Sequence, residues 1–199
     1  MDEFIVHMQW ARIGGWLRKL FPELYQALAP GATSTEIDVA EAALGITLPE
    51  GVRASYRVHN GQLPDSPDLP SRRGLFGQRR FYSLDEMVKD WQLMQSLMEE
   101  GVFQGVAGHA LGPVRANWWN ARWIPVSADS MGNCFCIDMD PVPGGTVGQI
   151  ISFVHDECER TVIAHSFADW LDDFAYDLET GEYVESADGH GILPRSDAA

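Results

Sequence analysis

The sequence predicts an α+β domain in which helices precede a sheet of four consecutive strands and one further helix follows it. Residues 123–166 contain four short runs rich in β-branched and aromatic residues, separated by clusters of Gly, Asn, Asp and Pro: IPVSA, CFCIDM, QIISFVH and TVIAH. Before and after this stretch, apolar residues recur with the i, i+3, i+4, i+7 spacing of amphipathic helices. Helices and strands are thus segregated along the chain, which indicates an α+β architecture.

In the first part of the chain, helix signals dominate. Apolar residues at helical spacing between positions 13 and 20 indicate a first helix, which Pro22 breaks or restarts. Ser34 or Thr35 can cap the next helix, and Gly45 provides its end. We therefore expect at least two helices in this part, with a further short helix after them.

A long helix is predicted in the middle of the chain, between two irregular segments. Residues 62–80 are rich in Pro, Gly and Arg, and residues 102–122 contain scattered Gly, Asn and Trp. Between them, Ser83 and Glu86 have the spacing of a capping box that opens a helix with an apolar face.

The predicted strands differ in how they are connected. Residues 129–133 tolerate left-handed backbone angles and favour a tight hairpin between the first two strands, whereas residues 140–145 require a wider loop. After the fourth strand, Ser166 and Asp169 have capping-box spacing and open a final helix with a continuous apolar stripe.

Composition favours a single globular domain. The chain has 199 residues, of which 45% are hydrophobic and 11% aromatic, and this excludes a wholly disordered protein. We expect the domain to span residues 1–185 and residues 186–199 to form a mobile tail. No apolar run approaches the roughly 18 residues that cross a bilayer, and the first ten residues lack the features of a secretory signal. The predicted location is the cytoplasm.

Charge is distributed unevenly along the chain. The net charge is −15, with 12 basic and 14 acidic residues in positions 1–123 but 2 basic and 15 acidic residues in positions 124–199. A field of this sign disfavours nucleic acid and anionic membranes and accelerates encounter with a basic partner. The alternative is that the acidic residues only keep the protein soluble.

Landmarks of a known family occur in order along the sequence. They are Glu36, Ile37, Glu41, Leu44, Gly45, Leu48, Pro49, Asn60 and Gly61, followed by IPVSADSMGNCFCIDMDP, GQIISFVHD and AHSFADWL. In order and spacing this series resembles the SUKH superfamily, over about residues 28–183. The superfamily includes bacterial immunity proteins against polymorphic toxins and the yeast cell-wall assembly regulators. The resemblance implies a mostly antiparallel central sheet of about four to six strands flanked by helices, and a protein that acts by binding.

Acidic residues crowd the exposed face of the last predicted helix. Asp169 and Asp173, and then Asp173 and Asp177, are like charges at i, i+4, each pair destabilising the helix by about 0.2–0.5 kcal/mol. A face selected only for solubility would tolerate Lys or Gln at these positions, and none is present. We therefore predict that Asp169, Asp172, Asp173, Asp177 and Glu179 bind a basic partner.

Three further acids and one tryptophan are predicted to extend this surface. Asp138 and Asp140 lie at the end of the second strand, where they could meet Asp156 across the next loop. Their alternative role is turn formation beside Pro141. Trp119 is a candidate interface anchor, because tryptophan is enriched at binding hot spots; the irregular, asparagine-flanked context predicts that it or its neighbour Trp118 is partly exposed.

Metal binding and catalysis are not predicted. Cysteine and histidine side chains of the predicted strands offer zinc-binding chemistry, but their spacing lacks the paired C-x₂₋₄-C knuckles of structural zinc sites: Cys134, Cys136, His155, Cys158 and His165. The sequence contains no nucleophile elbow, phosphate-binding loop or H-E-x-x-H motif. We therefore expect no cofactor, no metal and no enzymatic activity.

The resemblance and the acidic charge together predict an immunity protein. Such a protein would bind and block a bacterial toxin effector domain that has a basic surface, by occlusion rather than by chemistry. The alternative among binding modules is a regulatory or scaffold role of the cell-wall assembly regulator type. The alternative from another class is a hydrolase of a kind that no motif reveals.

Overall fold

The computed structural model describes residues 2–64, 74–187, 189 and 191–198. The helices within these ranges are α1 (Asp2–Leu20), α2 (Pro22–Gln26), α3 (Ser34–Leu44), α4 (Glu50–Val58), α5 (Leu84–Glu99) and α6 (Phe167–Thr180). The strands are β1 (Arg80–Phe81), β2 (His109–Leu111), β3 (Trp123–Ala128), β4 (Cys134–Asp138), β5 (Gln149–Phe153), β6 (Glu159–Ala164), β7 (Tyr183–Glu185) and β8 (Ile192–Pro194). The α+β prediction is confirmed.

Six strands form the central sheet, in the order β1-β3-β4-β5-β6-β2. The four strands predicted from the sequence are β3 to β6, and each pairs antiparallel with the next. β1 pairs antiparallel with β3, whereas β2 runs parallel to β6. The sheet is therefore mixed but mostly antiparallel, as expected for the fold. β7 and β8 form a separate two-stranded sheet.

Local side-chain hydrogen bonds fix the predicted hairpin between β3 and β4. The Asp129 carboxylate accepts hydrogen bonds from the backbone N–H groups of Met131 and Asn133 and from the Asn133 side-chain amide. Gly132 adopts a φ of +88°, which a residue with a Cβ rarely adopts. The turn residues thus set the register in which Ala128 pairs with Cys134.

Both faces of the sheet are buried, because alternate residues on each strand point to opposite sides. On one face, Ile124, Ile137 and Ile150 pack with apolar residues of α1, α3, α4 and α6 in the larger core. On the other face, a second core holds Trp119, Trp123, Cys134, Cys136, Ile151 and Phe153, and side chains of α5 pack against it. The sheet consequently exposes its edges and strand ends rather than its faces.

The chain beyond residue 185 corrects the predicted tail. β8 pairs antiparallel with β7, and Ile192 is fully buried in the larger core. Gly191 also bridges to Gly74, which brings the end of the chain against the segment before β1. The run Ile192–Pro194 is too short to give a strand signal by itself, and its pairing with β7 supplies the missing stabilisation. Residues 188, 190 and 199 of the predicted tail, and residues 65–73 of the predicted loop, lie outside the described residues.

None of the helices in the described ranges combines the length and the apolar composition that crossing a bilayer requires.

Candidate protein-binding surface

Helix α6 presents the acidic residues because most of its apolar residues lie in the core. The Ser166 hydroxyl accepts a hydrogen bond from the backbone N–H of Asp169 (3.1 Å), and Gly181 ends the helix in the left-handed conformation. The predicted apolar stripe is buried in the larger core: Phe167, Trp170, Leu171, Phe174 and Leu178. The acids at the intervening positions therefore lie on the outer side of the helix.

Two of the predicted partner-binding acids are already paired within the chain. Arg12 of α1 donates one hydrogen bond to Asp172 Oδ1 (2.6 Å) and two to the carboxylate of Glu179 (2.9 and 2.6 Å). These bonds lower the pKa of Glu179 and raise that of Arg12. Asp172 and Glu179 thus hold α1 against α6, although their side chains remain 55% and 43% exposed.

The other three acids of α6 form a row without a basic partner. Asp169, Asp173 and Asp177, which we call the acidic row, follow one another at i, i+4, and no ion pair joins them to any residue that the structure describes. Burial and then the neighbouring carboxylates of Asp172 and Asp169 raise the pKa of Asp173. Burial, Asp173 and Glu182 raise the pKa of Asp177 in the same way. Burial and like-charge repulsion thus both disfavour the ionised forms of Asp173 and Asp177, and a cation placed against them would offset both effects.

A groove of about 500 Å³ lies beside the first half of α6. One side consists of carboxylates of α6, and the remainder is formed by the ends of β2 and β6 and the residues that follow them. Its lining residues are Leu111, Gly112, Pro113, Val162, Ile163, Ala164, His165, Asp169, Asp172 and Asp173. This edge groove joins acidic and apolar surface in one concave site.

Asp138 is not on the surface, which corrects its predicted role in binding. Its side chain is fully buried at the end of β4, where it accepts hydrogen bonds from the backbone N–H of Asp140 (2.9 Å) and from Gln149 Nε2 (2.9 Å). Burial raises its pKa. The pleat places Asp138 on the same face as the buried thiols of Cys134 and Cys136, so it joins the interior instead of the solvent.

Asp140 is partly exposed and is engaged in contacts within the chain. Its carboxylate accepts two hydrogen bonds from Arg115 and one from the side-chain amide of Asn120 (3.2 Å), and the hydrogen bond from Arg115 lowers its pKa. This contact fastens the segment before β3 to the end of β4. The turn role considered for these acids is seen at Asp138, whose carboxylate accepts the backbone N–H of Asp140.

Asp156 cannot meet Asp138 and Asp140, contrary to the prediction. In the antiparallel register, Asp138 pairs with Gln149 and Cys134 pairs with Phe153. Asp156 follows Phe153 and therefore lies at the opposite end of the sheet, where the next residue back, His155, donates its backbone N–H to Asn133. The predicted continuous acidic surface at one strand end is wrong, because consecutive antiparallel strands place their connecting loops at alternating ends.

Trp119 is buried, which corrects its predicted role as an exposed anchor. Only 5% of it is exposed, and its ring packs edge-on against Trp123 and Phe153 in the second core. Its neighbour Trp118 is half-buried and stacks with Arg160. Arg160 is fully buried and donates hydrogen bonds to backbone carbonyls, including that of Trp118 (2.9 Å). These contacts anchor the irregular segment 102–122 instead of a partner.

The cysteines and histidines do not converge. Cys134 and Cys136 lie side by side in the second core with their sulfur atoms 3.4 Å apart, whereas Cys158 is exposed. His155 contacts Asn133, and His165 lines the edge groove. Among the residues that the structure describes, no three His, Cys, Asp or Glu side chains are placed to hold a metal ion.

Sequence reasoning missed the arginines that form ion pairs within the chain or are buried in it. Arg12 is the only Lys or Arg among the first 17 residues, and this isolation beside an apolar helical stripe was the available signal. Its acidic partners lie 160 and 167 residues further along the chain, and no local pattern relates such positions. The apolar part of the edge groove was also missed, because it depends on where β2 ends.

Comparison with known proteins identifies the family. Residues 31–173 match the family model described as SMI1 / KNR4 family (SUKH-1). The Schizosaccharomyces pombe protein named cell wall biosynthesis/cell cycle regulator smi1 is 31% identical over 94% of this chain and 39% of its own length. A glucan synthesis regulatory protein of Neurospora crassa is 28% identical over 96% of this chain and 41% of its own length.

A third fungal relative supports the same family. The cell wall assembly regulator SMI1 of Saccharomyces cerevisiae is 27% identical over 88% of this chain and 41% of its own length. The chain thus spans about two fifths of the length of these relatives. The matched residues lie inside the region 28–183 in which the sequence resembles the SUKH superfamily, and the chain belongs to the SMI1 / KNR4 family (SUKH-1).

Proposed function

We propose that this chain is a non-catalytic, regulatory protein-interaction module of the cell-wall assembly regulator type, and that it binds a basic protein partner through the acidic row of α6. The observation that carries the proposal is that Asp169, Asp173 and Asp177 stand at i, i+4 spacing with no ion pair to a described residue, next to two acids that Arg12 binds. A helix face that repels itself is stabilised when a complementary surface covers it.

The regulatory role replaces immunity as the favoured function. The sequence alone favoured a toxin-blocking immunity protein and ranked regulation second. The relatives that align with most of the chain are named as fungal regulators of cell wall assembly and glucan synthesis, and these names favour the second reading. They are names of regulators rather than enzymes, which also favours binding over catalysis.

A charge-neutralising variant tests the surface. In Asp169→Asn/Asp173→Asn/Asp177→Asn the fold is expected to persist while affinity for the basic partner falls at least about tenfold. The matched control, Glu23→Gln/Glu99→Gln/Glu100→Gln, removes the same charge from exposed acids that have no ion pair in the described structure. Partners captured from fungal extract by wild type and both variants are quantified by mass spectrometry. Equal recovery of the same partners by all three proteins would exclude the acidic row.

A hybrid protein tests the regulatory role. The chain replaces the matching segment of the Saccharomyces cerevisiae relative, and cell-wall glucan is measured in cells that lack the native regulator. We expect the hybrid to restore glucan content and the acidic-row variant to fail. A hybrid that is stably expressed yet leaves glucan content at the level of the deletion strain would contradict the assignment.

A further inference from the structure

One edge of β6 is only half covered. β2 pairs with β6 from His109–Glu159 to Leu111–Thr161, and the pairing stops there. Gly112 then turns the chain with a φ of +104°, passing against the Val162 side chain. Val162 and Ala164 pair with Ile151 and Ile150 of β5 on one side, and the register shift between these two pairs leaves Ile163 in a β-bulge. On the other side, residues 162–164 pair with no strand of the described ranges. A partly open edge of this kind offers backbone hydrogen bonds to an added strand.

The edge groove lies directly beside this open edge. Leu111 and Ile163 line it and remain 41% and 36% exposed, although large aliphatic side chains are normally buried in a sheet. The same groove is lined by Asp169 and Asp173, which form no ion pair with the residues that the structure describes, and by Asp172, which binds Arg12. The groove thus presents three kinds of complementarity together: backbone edge, apolar surface and negative charge.

We propose that the edge groove binds an extended segment of a protein partner in which lysine or arginine alternates with aliphatic residues, and that this segment adds as a strand beside residues 162–164. Side chains of an extended chain point alternately to opposite sides. The basic side chains can therefore meet Asp169 and Asp173 while the aliphatic ones contact Leu111 and Ile163. This inference rests on the proposed function and specifies how the acidic row is used.

A second groove within the described residues lacks this complementarity. It lies between α3 and α5, has a volume of about 430 Å³, and includes the exposed Val39. Glu36, Asp85 and Lys89 give its walls both signs of charge, and two helices rather than a sheet edge line it. It therefore selects neither a basic segment nor an extended one.

The test uses a labelled heptapeptide of alternating lysine and valine, measured by fluorescence anisotropy. We expect saturable binding below about 1 mM peptide, and at least about tenfold weaker binding of the glutamate–valine peptide and of a lysine–valine peptide with alternate backbone N-methylation. Asp169→Asn/Asp173→Asn and Ile163→Lys are each expected to weaken binding at least about fivefold. Met131→Lys is the control, because Met131 is 65% exposed on the hairpin at the opposite end of the sheet.

Hydrogen exchange followed by NMR separates strand addition from simple charge attraction. We expect the bound peptide to slow exchange of backbone amides within residues 162–164 and to leave the β3–β4 hairpin unchanged. Absence of saturable binding overturns the inference. So does binding that ignores N-methylation and leaves exchange at 162–164 unaltered, although that result would leave the acidic row as a partner surface. Failure of the acidic-row variant to reduce partner capture would instead overturn the proposed function.

Discussion

At the scale of single residues, Arg12 determines which acids of α6 are available. Its guanidinium binds Asp172 and Glu179, two turns apart on α6, and also contacts Gln9 of its own helix. Six of the predicted binding residues differ in environment: Arg12 pairs with two, Arg115 pairs with one, and the three of the acidic row form no ion pair with a described residue. Equivalent side chains in the sequence acquire different roles only through these long-range contacts.

Removing Arg12 should destabilise the fold and strengthen binding of a cation. We expect Arg12→Met to lower the free energy of unfolding by about 1 kcal/mol, because two partly exposed ion pairs are lost while an apolar stem is kept. The same change frees two carboxylates and should raise the affinity for the lysine–valine peptide at least about twofold. Denaturant unfolding and anisotropy measure both effects. Lys19→Met is the control for charge, and an identical gain in affinity there would refute the role of Arg12.

Asp138 should matter for stability and not for binding. In Asp138→Ala the Gln149 side chain and the Asp140 backbone N–H lose a buried acceptor, and we expect the free energy of unfolding to fall by about 1–3 kcal/mol. Asp156→Ala removes an exposed carboxylate and should change the free energy of unfolding by less than about 0.5 kcal/mol. Thermal denaturation of both variants provides the comparison. A loss of peptide affinity in folded Asp138→Ala would contradict the interior role.

At the scale of elements, the sequence predicted most of what local chemistry determines, although Thr33 caps α3 instead of the predicted Ser34 or Thr35. The caps of α5 and α6, the four strands β3 to β6 and the hairpin at 129–133 follow from capping residues, alternation and turn residues within a few positions of each other. β2 and β8 have three residues each and exist through pairing with β6 and β7, which no local pattern reports. The buried position of Trp119 and the open edge of β6 depend on these same pairings.

Helix α6 should become more stable when its acidic row is interrupted. The pKa values of Asp173 and Asp177 are raised in the fold, so the folded state binds their protons more tightly than the unfolded chain. Their contribution to stability is complete below the ordinary aspartate pKa, about 4, and is lost as pH rises through the raised values. Asp173→Asn/Asp177→Asn should therefore increase the free energy of unfolding by about 0.5–1 kcal/mol at pH 7 and by much less at pH 3.

The paired acid next to them supplies the control for this pH dependence. Asp172→Asn removes a carboxylate that Arg12 binds, and we expect no gain in stability at pH 7. Urea unfolding of wild type, Asp172→Asn and Asp173→Asn/Asp177→Asn at pH 3 and pH 7 tests the sign of each change in the free energy of unfolding. A gain of equal size at pH 3 and pH 7 would show that helix propensity, and not charge repulsion, explains the effect.

At the scale of the whole molecule, the charge difference between the two parts of the chain places a long-range field around the proposed site. The net charge is −2 over residues 1–123 and −13 over residues 124–199, which contain β6 and α6. Such a field orients a basic partner before contact, whereas the groove determines how long the partner stays. The charged helix and the groove are adjacent because α6 begins directly after β6 ends, so one site both attracts the partner and holds it.

Association and dissociation should accordingly respond differently to salt and to remote charge. Raising ionic strength from about 0.1 M to 1 M shortens the screening length from about 10 Å to 3 Å, so the association rate of the lysine–valine peptide should fall at least about tenfold. The dissociation rate should change less, because the apolar and backbone contacts at β6 are not screened.

Glu23→Gln/Glu99→Gln/Glu100→Gln should slow association by less than about twofold, since these acids lie in the nearly neutral part of the chain. Ile163→Lys should accelerate dissociation. Stopped-flow anisotropy resolves both rates, and a dissociation rate that follows salt as steeply as the association rate would mean that charge alone holds the peptide.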